Sequence, residues 1–278
     1  MDILGYKKNI ETLGYAILPD LISEERCCHF KNLLESDYKK YSPSYDGNSG
    51  VKPFELSDKS GEKVVYNLHN KHLSWFELFE HPEILKLLDS LLKEGSYKNA
   101  EPYYLNNISA RCPLKGGKPQ QLHLDSNLPG INYTIIVNVL WMLDDFTLEN
   151  GATKVVPYSH TFLNFAPDGI NHHPDEILIT GRKGSAIVFN ANIWHGGTEN
   201  TTHQTRWAVA LGYARWFIKP SFDFMQNTPS YIYDKMTDAQ KNLLGFSLNP
   251  PKDEFTRIRR RSNIFETPGF YKLPQIIN

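Results

Sequence analysis

Residues 184–213 read GSAIVFNANIWHGGTENTTHQTRWAVALGY, two apolar runs of β-type residues joined by a polar turn. The first run leads to His195, and Gly196 and Gly197 then leave room for a close approach of another backbone. The second run begins at Arg206 and continues with alanine and glycine on the same face. Short runs of this type, bounded by Gly, Pro, Asn or Asp, are typical of antiparallel sheets.

The same kind of run recurs through the middle of the chain. Four more stretches place β-branched and aromatic residues between turn residues: PYYLNNISARC, YTIIVNVLWML, ATKVVP and EILIT. Several short strands at close spacing predict a mainly β core over about residues 101–218, with flanking helices. The expected architecture is a sandwich or barrel such as a double-stranded β-helix, the jelly-roll fold of cupin-like proteins.

The flanking segments carry helix and loop signals. Ser23 is predicted to cap a helix that runs to about Tyr38, and HPEILKLLDSLLKEG has apolar residues at a helical period before Gly95. Residues 42–63 are rich in Gly, Pro, Ser and Asp and are predicted to form a lid loop. Because no repeat or linker divides the chain, residues 1–278 are expected to form a single domain.

The composition is that of an ordinary globular protein. With a net charge of −1 and 40% hydrophobic residues, it gives no reason to expect nucleic acid or a membrane surface as a partner. The basic run RIRRR at 257–261 is expected to be a solvated or ion-paired tail. Three cysteines argue against a disulfide framework, and no secretory signal is recognisable. We expect a cytoplasmic protein, and nothing in the sequence specifies an oligomeric state.

The segment QQLHLDSN at residues 120–127 carries an H-x-D pair. In a strand, alternate residues face the same side, so His123 and Asp125 are predicted to point into a cavity while Leu122 and Leu124 pack on the opposite face. An imidazole beside a carboxylate suits a metal ion. A lone H-x-D pair occurs often by chance, however, and needs support from elsewhere in the chain.

His195 and Arg206 supply that support. Two imidazoles and one carboxylate bind one face of Fe(II) and leave three positions open, of which a 2-oxo acid takes two and dioxygen the third. An inward-facing arginine beside small residues offers space and charge to a dicarboxylate, which a guanidinium binds through paired hydrogen bonds. The alternative is that Arg206 pairs with a local Asp or Glu. This set of residues predicts Fe(II) as cofactor and 2-oxoglutarate as co-substrate.

These motifs resemble those of the phytanoyl-CoA dioxygenase (PhyH-like) family of Fe(II)/2-oxoglutarate oxygenases. The resemblance covers most of the chain and includes LGYAILPDLISEE at 13–25, the H-x-D pair, LENGATKVVPYSH at 148–160 and the WH…N…R pattern at 194–206. It implies that His123, Asp125 and His195 are the catalytic iron ligands. It also implies that Arg206 binds the distal carboxylate of 2-oxoglutarate.

The chain departs from its relatives at two positions. Relatives often have PGSH where this chain has Tyr158 in the second place, and a Ser or Thr two residues after the distal histidine where this chain has Gly197. The neighbouring Thr198 is therefore the candidate hydroxyl for contact with the 2-oxo acid. Asp125 is kept, whereas related halogenases replace this carboxylate with a small residue, so the resemblance disfavours halogenation.

Further candidates come from two predicted strands. In YYLNNISAR, alternation would place Leu105, Asn107, Ser109 and Arg111 on the cavity face, with Asn107 as a cofactor contact. Asn138 is the only amide inside the apolar run YTIIVNVLW. A buried amide needs a partner, which is either the cofactor, the substrate or the backbone.

The sequence thus predicts an enzyme, a dioxygenase that hydroxylates a small-molecule metabolite or biosynthetic intermediate. It would use O2 and 2-oxoglutarate and release succinate and CO2. Desaturation, epimerisation or cyclisation on the same iron are alternative outcomes. Two other classes stay open: a non-catalytic cupin-like metal- or ligand-binding protein, and a protein or peptide hydroxylase. An acyl-CoA, a sugar, an amino-acid derivative or a natural-product intermediate fits the sequence as substrate.

Overall fold

The computed structural model describes residues 1–41, 61–96, 101–248 and 254. Most of the lid predicted over 42–63, and the basic run at 257–261, therefore lie outside the described residues. The end of the predicted lid differs from the expectation, because Glu62 and Lys63 begin a strand instead of continuing a loop. The Glu62 side chain lines the cavity described below, and Lys63 Nζ lies 2.9 Å from Glu35 Oε2.

The described strands form two antiparallel sheets. They are β1 (Tyr15–Leu18), β2 (Glu62–Tyr66), β3 (Tyr103–Pro113), β4 (Ile136–Met142), β5 (Thr153–Val156), β6 (Ile177–Ile179), β7 (Ala186–Asn190), β8 (Trp194–Gly197) and β9 (Ala208–Arg215). The larger sheet has the order β1-β7-β4-β9-β3-β2, and the smaller sheet has the order β6-β5-β8. The predicted double-stranded β-helix is confirmed.

Helices flank the larger sheet. They are α1 (Ile3–Leu13), α2 (Glu24–Tyr41), α3 (Phe76–Phe79), α4 (Pro82–Leu92), α5 (Phe224–Asn227), α6 (Ser230–Tyr233) and α7 (Asp238–Leu243). Ser23 caps α2 as predicted, since its Oγ accepts a hydrogen bond of 3.3 Å from the Arg26 amide. Among the helices of the described chain, none combines the length and apolar character that crossing a membrane requires.

The outer face of the larger sheet packs against α4. The predicted apolar positions of this helix are all buried: Ile84, Leu87, Leu88, Leu91 and Leu92. They share one core cluster with sheet residues such as Val139 and Val209. Each such side chain contributes about 1.5–3 kcal/mol on burial. This packing fixes the larger sheet and leaves its other face to form the site.

The inner face of the larger sheet is lined by small residues of β9. Ala208, Ala210 and Gly212 face the smaller sheet, and Ala208 packs beside Val155 of β5. Ala208 lies opposite Arg111 of β3 and Met142 of β4. Ala210 lies opposite Ser109 and Leu140, and Gly212 lies opposite Asn107 and Asn138. Because β9 presents no bulky side chain here, space is left between the two sheets.

The run SAIVFNANIWH is not one continuous strand, contrary to the sequence-based expectation. The chain turns after Asn190, where the Ile193 amide donates to the Asn190 carbonyl over 2.9 Å. The Asn190 side chain stabilises the turn by accepting from the Asn192 amide at 2.9 Å. The turn transfers the chain from β7 in the larger sheet to β8 in the smaller one.

A β-bulge interrupts β3 and corrects a second expectation. The register against β9 shifts between Leu105 and Asn107, so two residues of β3 oppose one residue of β9 at this point. Leu105 consequently packs with Ile108 in the outer core instead of facing the cavity. Asn107 does face the cavity, and so does Arg111.

Candidate metal centre

The segment that carries the H-x-D pair is an irregular stretch with a single bridge, not the predicted strand. The His123 amide donates to the His195 carbonyl and the His195 amide donates to the His123 carbonyl, both over 2.9 Å. The alternation is nevertheless as expected, because Leu122 and Leu124 are buried in a cluster with Trp194. The opposite side chains, His123 and Asp125, face the cavity.

Three ligand-type side chains converge at this bridge. One ligand atom from each of His123, Asp125 and His195 lies within 4.8 Å of the other two. His195 Nε2 is 3.3 Å from Asp125 Oδ2, and His123 Nε2 is 3.5 Å from Asp125 Oδ1. Two imidazoles and one carboxylate on one side of an ion are the donor set that suits Fe(II), so the residues fit this metal.

Both imidazoles are oriented by backbone carbonyls. His123 Nδ1 lies 2.9 Å from the Gln121 carbonyl oxygen, and His195 Nδ1 lies 3.0 Å from that of Ile193. Because a carbonyl oxygen only accepts, each Nδ1 carries a proton, and each Nε2 is the atom that faces Asp125 and offers its lone pair to a metal ion when the imidazole is neutral. Hydrogen bonds of this kind fix the ring orientation of metal-binding histidines.

The electrostatics of the three groups favour positive charge between them. Desolvation disfavours ionisation of His123, but the hydrogen bond to Asp125 and its charge together raise the pKa of this imidazole. Desolvation likewise opposes ionisation of Asp125, yet the charge of His195 and hydrogen bonds from both imidazoles hold its pKa well below the usual range. Asp125 therefore stays a carboxylate, the form that binds a cation.

Arg206 is buried deeper in the same cavity. Its side chain is 5% exposed, and its guanidinium carbon lies 4.5 Å from the centroid of the Phe146 ring. Desolvation lowers the pKa of Arg206 to about 10, and the charge of Glu62 opposes this shift only in part. Among the described residues, the Arg206 Nε has no hydrogen-bond partner and no carboxylate lies within ion-pair distance. The local Asp or Glu partner considered as an alternative is thus not found there.

Glu62, the acidic side chain whose charge acts most strongly on Arg206, is engaged elsewhere. Its Oε2 accepts a hydrogen bond of 2.8 Å from Arg111 Nη1 on the neighbouring strand. The buried guanidinium of Arg206 therefore fits an anion that comes from outside the chain. Sequence reasoning did not assign Glu62 to the site, because its position lies inside the predicted lid and only the strand pairing shows which way it faces.

A cavity of about 120 Å³ connects the candidate ligands with Arg206. Apolar side chains form one wall of it: Leu140, Phe189 and Ala210. Gln120 and Thr153 also line it, and no sequence pattern points to either. On its open side the cavity reaches solvent, since 40% of the His123 side chain and 42% of the Asp125 side chain are exposed.

The remaining predicted contacts fall into three places. Asn107 lines the cavity. Asn138 does not reach the cavity lining; its Nδ2 donates to Asp125 Oδ2 over 2.6 Å. Thr198 lies outside the cavity, and its hydroxyl donates to the Ala152 carbonyl at 2.9 Å. The Thr198 hydroxyl is therefore not directed at the space between the candidate ligands and Arg206.

Two residues near the distal histidine acquire roles that only the structure shows. Ser159 Oγ accepts from the Trp194 amide at 2.7 Å and donates to the Val156 carbonyl at 2.6 Å, which fixes the start of β8 beside His195. Tyr158 has a φ of 67°, in the left-handed region that favours glycine. This explains why glycine is frequent at this position in the resembling sequences.

The chain is similar in sequence to known proteins over most of its length. A profile of the family described as phytanoyl-CoA dioxygenase matches residues 10–208. The chain is 23% identical to the uncharacterized protein Rv1501 of Mycobacterium tuberculosis, over 85% of this chain and 84% of that protein. It is also 23% identical to the dioxygenase trt7 of Aspergillus terreus, over 84% of this chain and 80% of that protein.

Solved structures share the fold. The non-haem α-ketoglutarate-dependent epimerase SnoN of nogalamycin biosynthesis has a TM-score of 0.59 and 17% identity, with 85% of this chain and 90% of that chain covered. HygX from Streptomyces hygroscopicus, solved with nickel, 2-oxoglutarate and hygromycin B bound, has a TM-score of 0.59 and 16% identity, with 77% and 88% covered. At these identities the likeness establishes the fold alone.

Proposed function

Because this chain belongs to the phytanoyl-CoA dioxygenase family and is an Fe(II)- and 2-oxoglutarate-dependent oxygenase, we propose that it hydroxylates a small-molecule metabolite and releases succinate and CO2. We assign His123, Asp125 and His195 as the iron ligands and Arg206 as the residue that binds the distal carboxylate of 2-oxoglutarate. The observation that carries this proposal is the convergence of these four side chains on one cavity.

Each part of the cavity has a task in the proposed reaction. Fe(II), when bound, supplies the chemistry with dioxygen and the 2-oxo acid that oxidises a substrate C–H bond. The two imidazoles and the carboxylate hold the ion by one face. Arg206 orients the co-substrate, and the wall of Leu140, Phe189 and Ala210 keeps water from the reacting groups.

The size of the cavity supports a substrate that binds at its mouth. A volume of about 120 Å³ is well below the ~300–1,000 Å³ of pockets that enclose drug-sized ligands, but it suits a small acid. The substrate would therefore approach from the open side of His123 and Asp125. The compact size of this cavity favours a small molecule over a peptide.

The proposal is tested by co-substrate consumption. The purified protein is incubated with Fe(II), 2-oxoglutarate, O2 and a metabolite extract, and succinate is measured together with products that gain one oxygen atom from labelled O2. We expect succinate release to need both the metal and the 2-oxo acid. A product that has changed mass by two hydrogens, or not at all, would point instead to desaturation, cyclisation or epimerisation.

Variants connect the activity to the assigned residues. His123→Ala and Asp125→Ala are expected to abolish Fe(II)-dependent succinate release, whereas His203→Ala, an exposed imidazole in the turn before Arg206, should retain it. Activity retained in both ligand variants would remove them as ligands. Metal binding without any turnover in the unaltered protein would favour the non-catalytic cupin-like alternative.

A further inference from the structure

Asn138 contacts a candidate ligand instead of the cavity itself. Its Nδ2 donates to Asp125 Oδ2 over 2.6 Å, and the Asn138 side chain is buried, with 9% of the residue exposed. We propose that Asn138 is a positioning residue: its hydrogen bond engages one carboxylate oxygen of Asp125, so that Asp125 binds the metal through the other oxygen alone, as a monodentate ligand. This inference rests on the proposed function, because it takes Asp125 to be an iron ligand.

The hydrogen bond distinguishes the two carboxylate oxygens. Oδ2 accepts from the amide and lies 3.3 Å from His195 Nε2. Oδ1 is 3.5 Å from His123 Nε2 and accepts from no side-chain amide of the described residues. A carboxylate can bind a metal through one oxygen or through both. With Oδ2 engaged by the amide, Oδ1 is the oxygen left for the ion.

Single-oxygen binding matters for the proposed reaction. A facial set of two imidazoles and one carboxylate oxygen takes three positions and leaves three open. A second oxygen from Asp125 would take a fourth position, so too few would remain for a 2-oxo acid that chelates through two atoms together with dioxygen. By keeping Asp125 monodentate, the Asn138 amide would leave three metal positions open for the 2-oxo acid and dioxygen.

The surrounding strands hold the amide in place. Asn138 lies in register between Phe189 on β7 and Gly212 on β9. A side chain at Gly212 would overlap Asn106 Oδ1 and come within 3.3 Å of Asn138 Oδ1. The absence of a side chain at Gly212 thus leaves room for two amides beside each other. One of them comes from the β-bulge of β3, and the other is the amide that reaches Asp125.

A positioning role and a direct cofactor contact predict different measurements. If Asn138 contacted 2-oxoglutarate, its loss would weaken binding of the 2-oxo acid and leave the affinity for metal alone unchanged. If it positions Asp125, the affinity for metal alone falls first. Partners of this kind typically account for a 10–100-fold change in metal affinity.

The test uses Co(II) in the absence of 2-oxoglutarate. Asn138→Leu removes the donor with little change of side-chain volume, and Asn138→Ala removes the whole amide. For both we expect Co(II) to bind about 10–100-fold more weakly than to the unaltered protein. We also expect the visible Co(II) bands to shift, since a second Asp125 oxygen would replace a water ligand of the ion. Asn32→Leu, the same change at an exposed amide of α2 outside the cavity, should keep both properties.

The outcomes separate the two levels of the proposal. If Asp125→Ala abolishes Co(II) binding while both Asn138 variants bind as the unaltered protein does, the positioning role is refuted and the metal assignment stands. If Asp125→Ala binds Co(II) normally, the proposed metal centre itself is refuted. Circular dichroism of the metal-free variants establishes that each is folded before its affinity is compared.

Discussion

The backbones of His123 and His195 are hydrogen-bonded to each other reciprocally, with both N–H groups donating over 2.9 Å. This single bridge joins an irregular segment to β8 and sets the two imidazoles side by side, with ring centroids 4.4 Å apart. The relative position of the two imidazoles therefore depends on this pair of backbone hydrogen bonds. A bulkier residue beside the bridge would break them.

Gly196, next to His195, is where a bulkier residue would act in this way. A methyl group there would lie 2.9 Å from the Gln120 carbonyl oxygen and 3.1 Å from that of Gln121, both backbone atoms that cannot move aside cheaply. We expect Gly196→Ala to displace the segment that carries His123 and to weaken Co(II) binding at least tenfold, as measured by titration.

Gly197 provides the matched control. A methyl group at this position would meet only the Gln120 side chain, with the nearest atom at 3.3 Å. Gly197→Ala should therefore bind Co(II) nearly as the unaltered protein does. Equal affinities for the two alanine variants would contradict the steric argument.

Arg206 should govern the affinity for 2-oxoglutarate. Removal of a buried, charge-assisted contact costs about 2–5 kcal/mol, which corresponds to between about 30-fold and about 4,000-fold in dissociation constant. We expect Arg206→Ala to raise the dissociation constant for 2-oxoglutarate by that factor, measured by calorimetry with Co(II) bound. Arg182→Ala, at an exposed arginine outside the cavity, should show no change. An unaltered affinity in Arg206→Ala would refute its role.

His69 should make the fold sensitive to acid. This side chain is fully buried, its Nε2 lies 2.8 Å from Asn227 Oδ1, and desolvation lowers its pKa to about 4. The unfolded chain has a histidine pKa of about 6.5, so between about pH 6.5 and pH 4 the unfolded state binds more protons and stability falls as the pH falls. The loss attributable to His69 is at most about 3 kcal/mol.

The measurement is the free energy of unfolding as a function of pH. His69→Gln should flatten the dependence between about pH 6.5 and pH 4, whereas His172→Gln, at a histidine whose side chain is 81% exposed, should leave it in place. A His69→Gln variant with the slope of the unaltered protein would show that other groups cause the acid sensitivity.

Tyr158 offers a stabilising substitution. A residue other than glycine in the left-handed region costs about 1–2 kcal/mol, and glycine loses about 0.5–1 kcal/mol more chain entropy on folding. Because the Tyr158 side chain is exposed and contributes little packing, Tyr158→Gly should raise the free energy of unfolding by about 0.5–1 kcal/mol in denaturant titrations. Tyr158→Ala keeps the unfavourable φ and should give no gain; equal gains would refute the backbone explanation.

The regular elements of this fold can be predicted from the periodic pattern of apolar residues in the sequence. The apolar period of α4 and the alternation of Leu122 and Leu124 can be read directly, because burial on one face imposes each pattern. The cap at Ser23 is equally local, since it depends on residues three positions apart. The candidate ligands His123, Asp125 and His195 can also be predicted from the sequence, because Fe(II) restricts the residue types that bind it.

The parts that escape sequence reasoning depend on irregular backbone and on partners distant in the chain. The predicted orientation of Leu105 is wrong because a β-bulge adds one residue to β3 and reverses the face on which Leu105 lies. The neighbouring sequence contains no signal for this bulge. The partner of Asn138 is Asp125, a residue of another segment that only the folded chain brings within 2.6 Å. The turn after Asn190 was missed because its neighbours on both sides are apolar and β-type.

That turn has a consequence for the way the two layers of the molecule hold together. Asp125 is joined to the larger sheet through Asn138, while His195 belongs to the smaller sheet. An ion that binds both would act as a cross-link between the layers and stabilise the native state by about 2.7 kcal/mol at a hundredfold excess over its dissociation constant. Amide hydrogen exchange through global unfolding should accordingly slow in both β8 and α4 on loading with Co(II), and exchange through local opening should slow in β8 in addition.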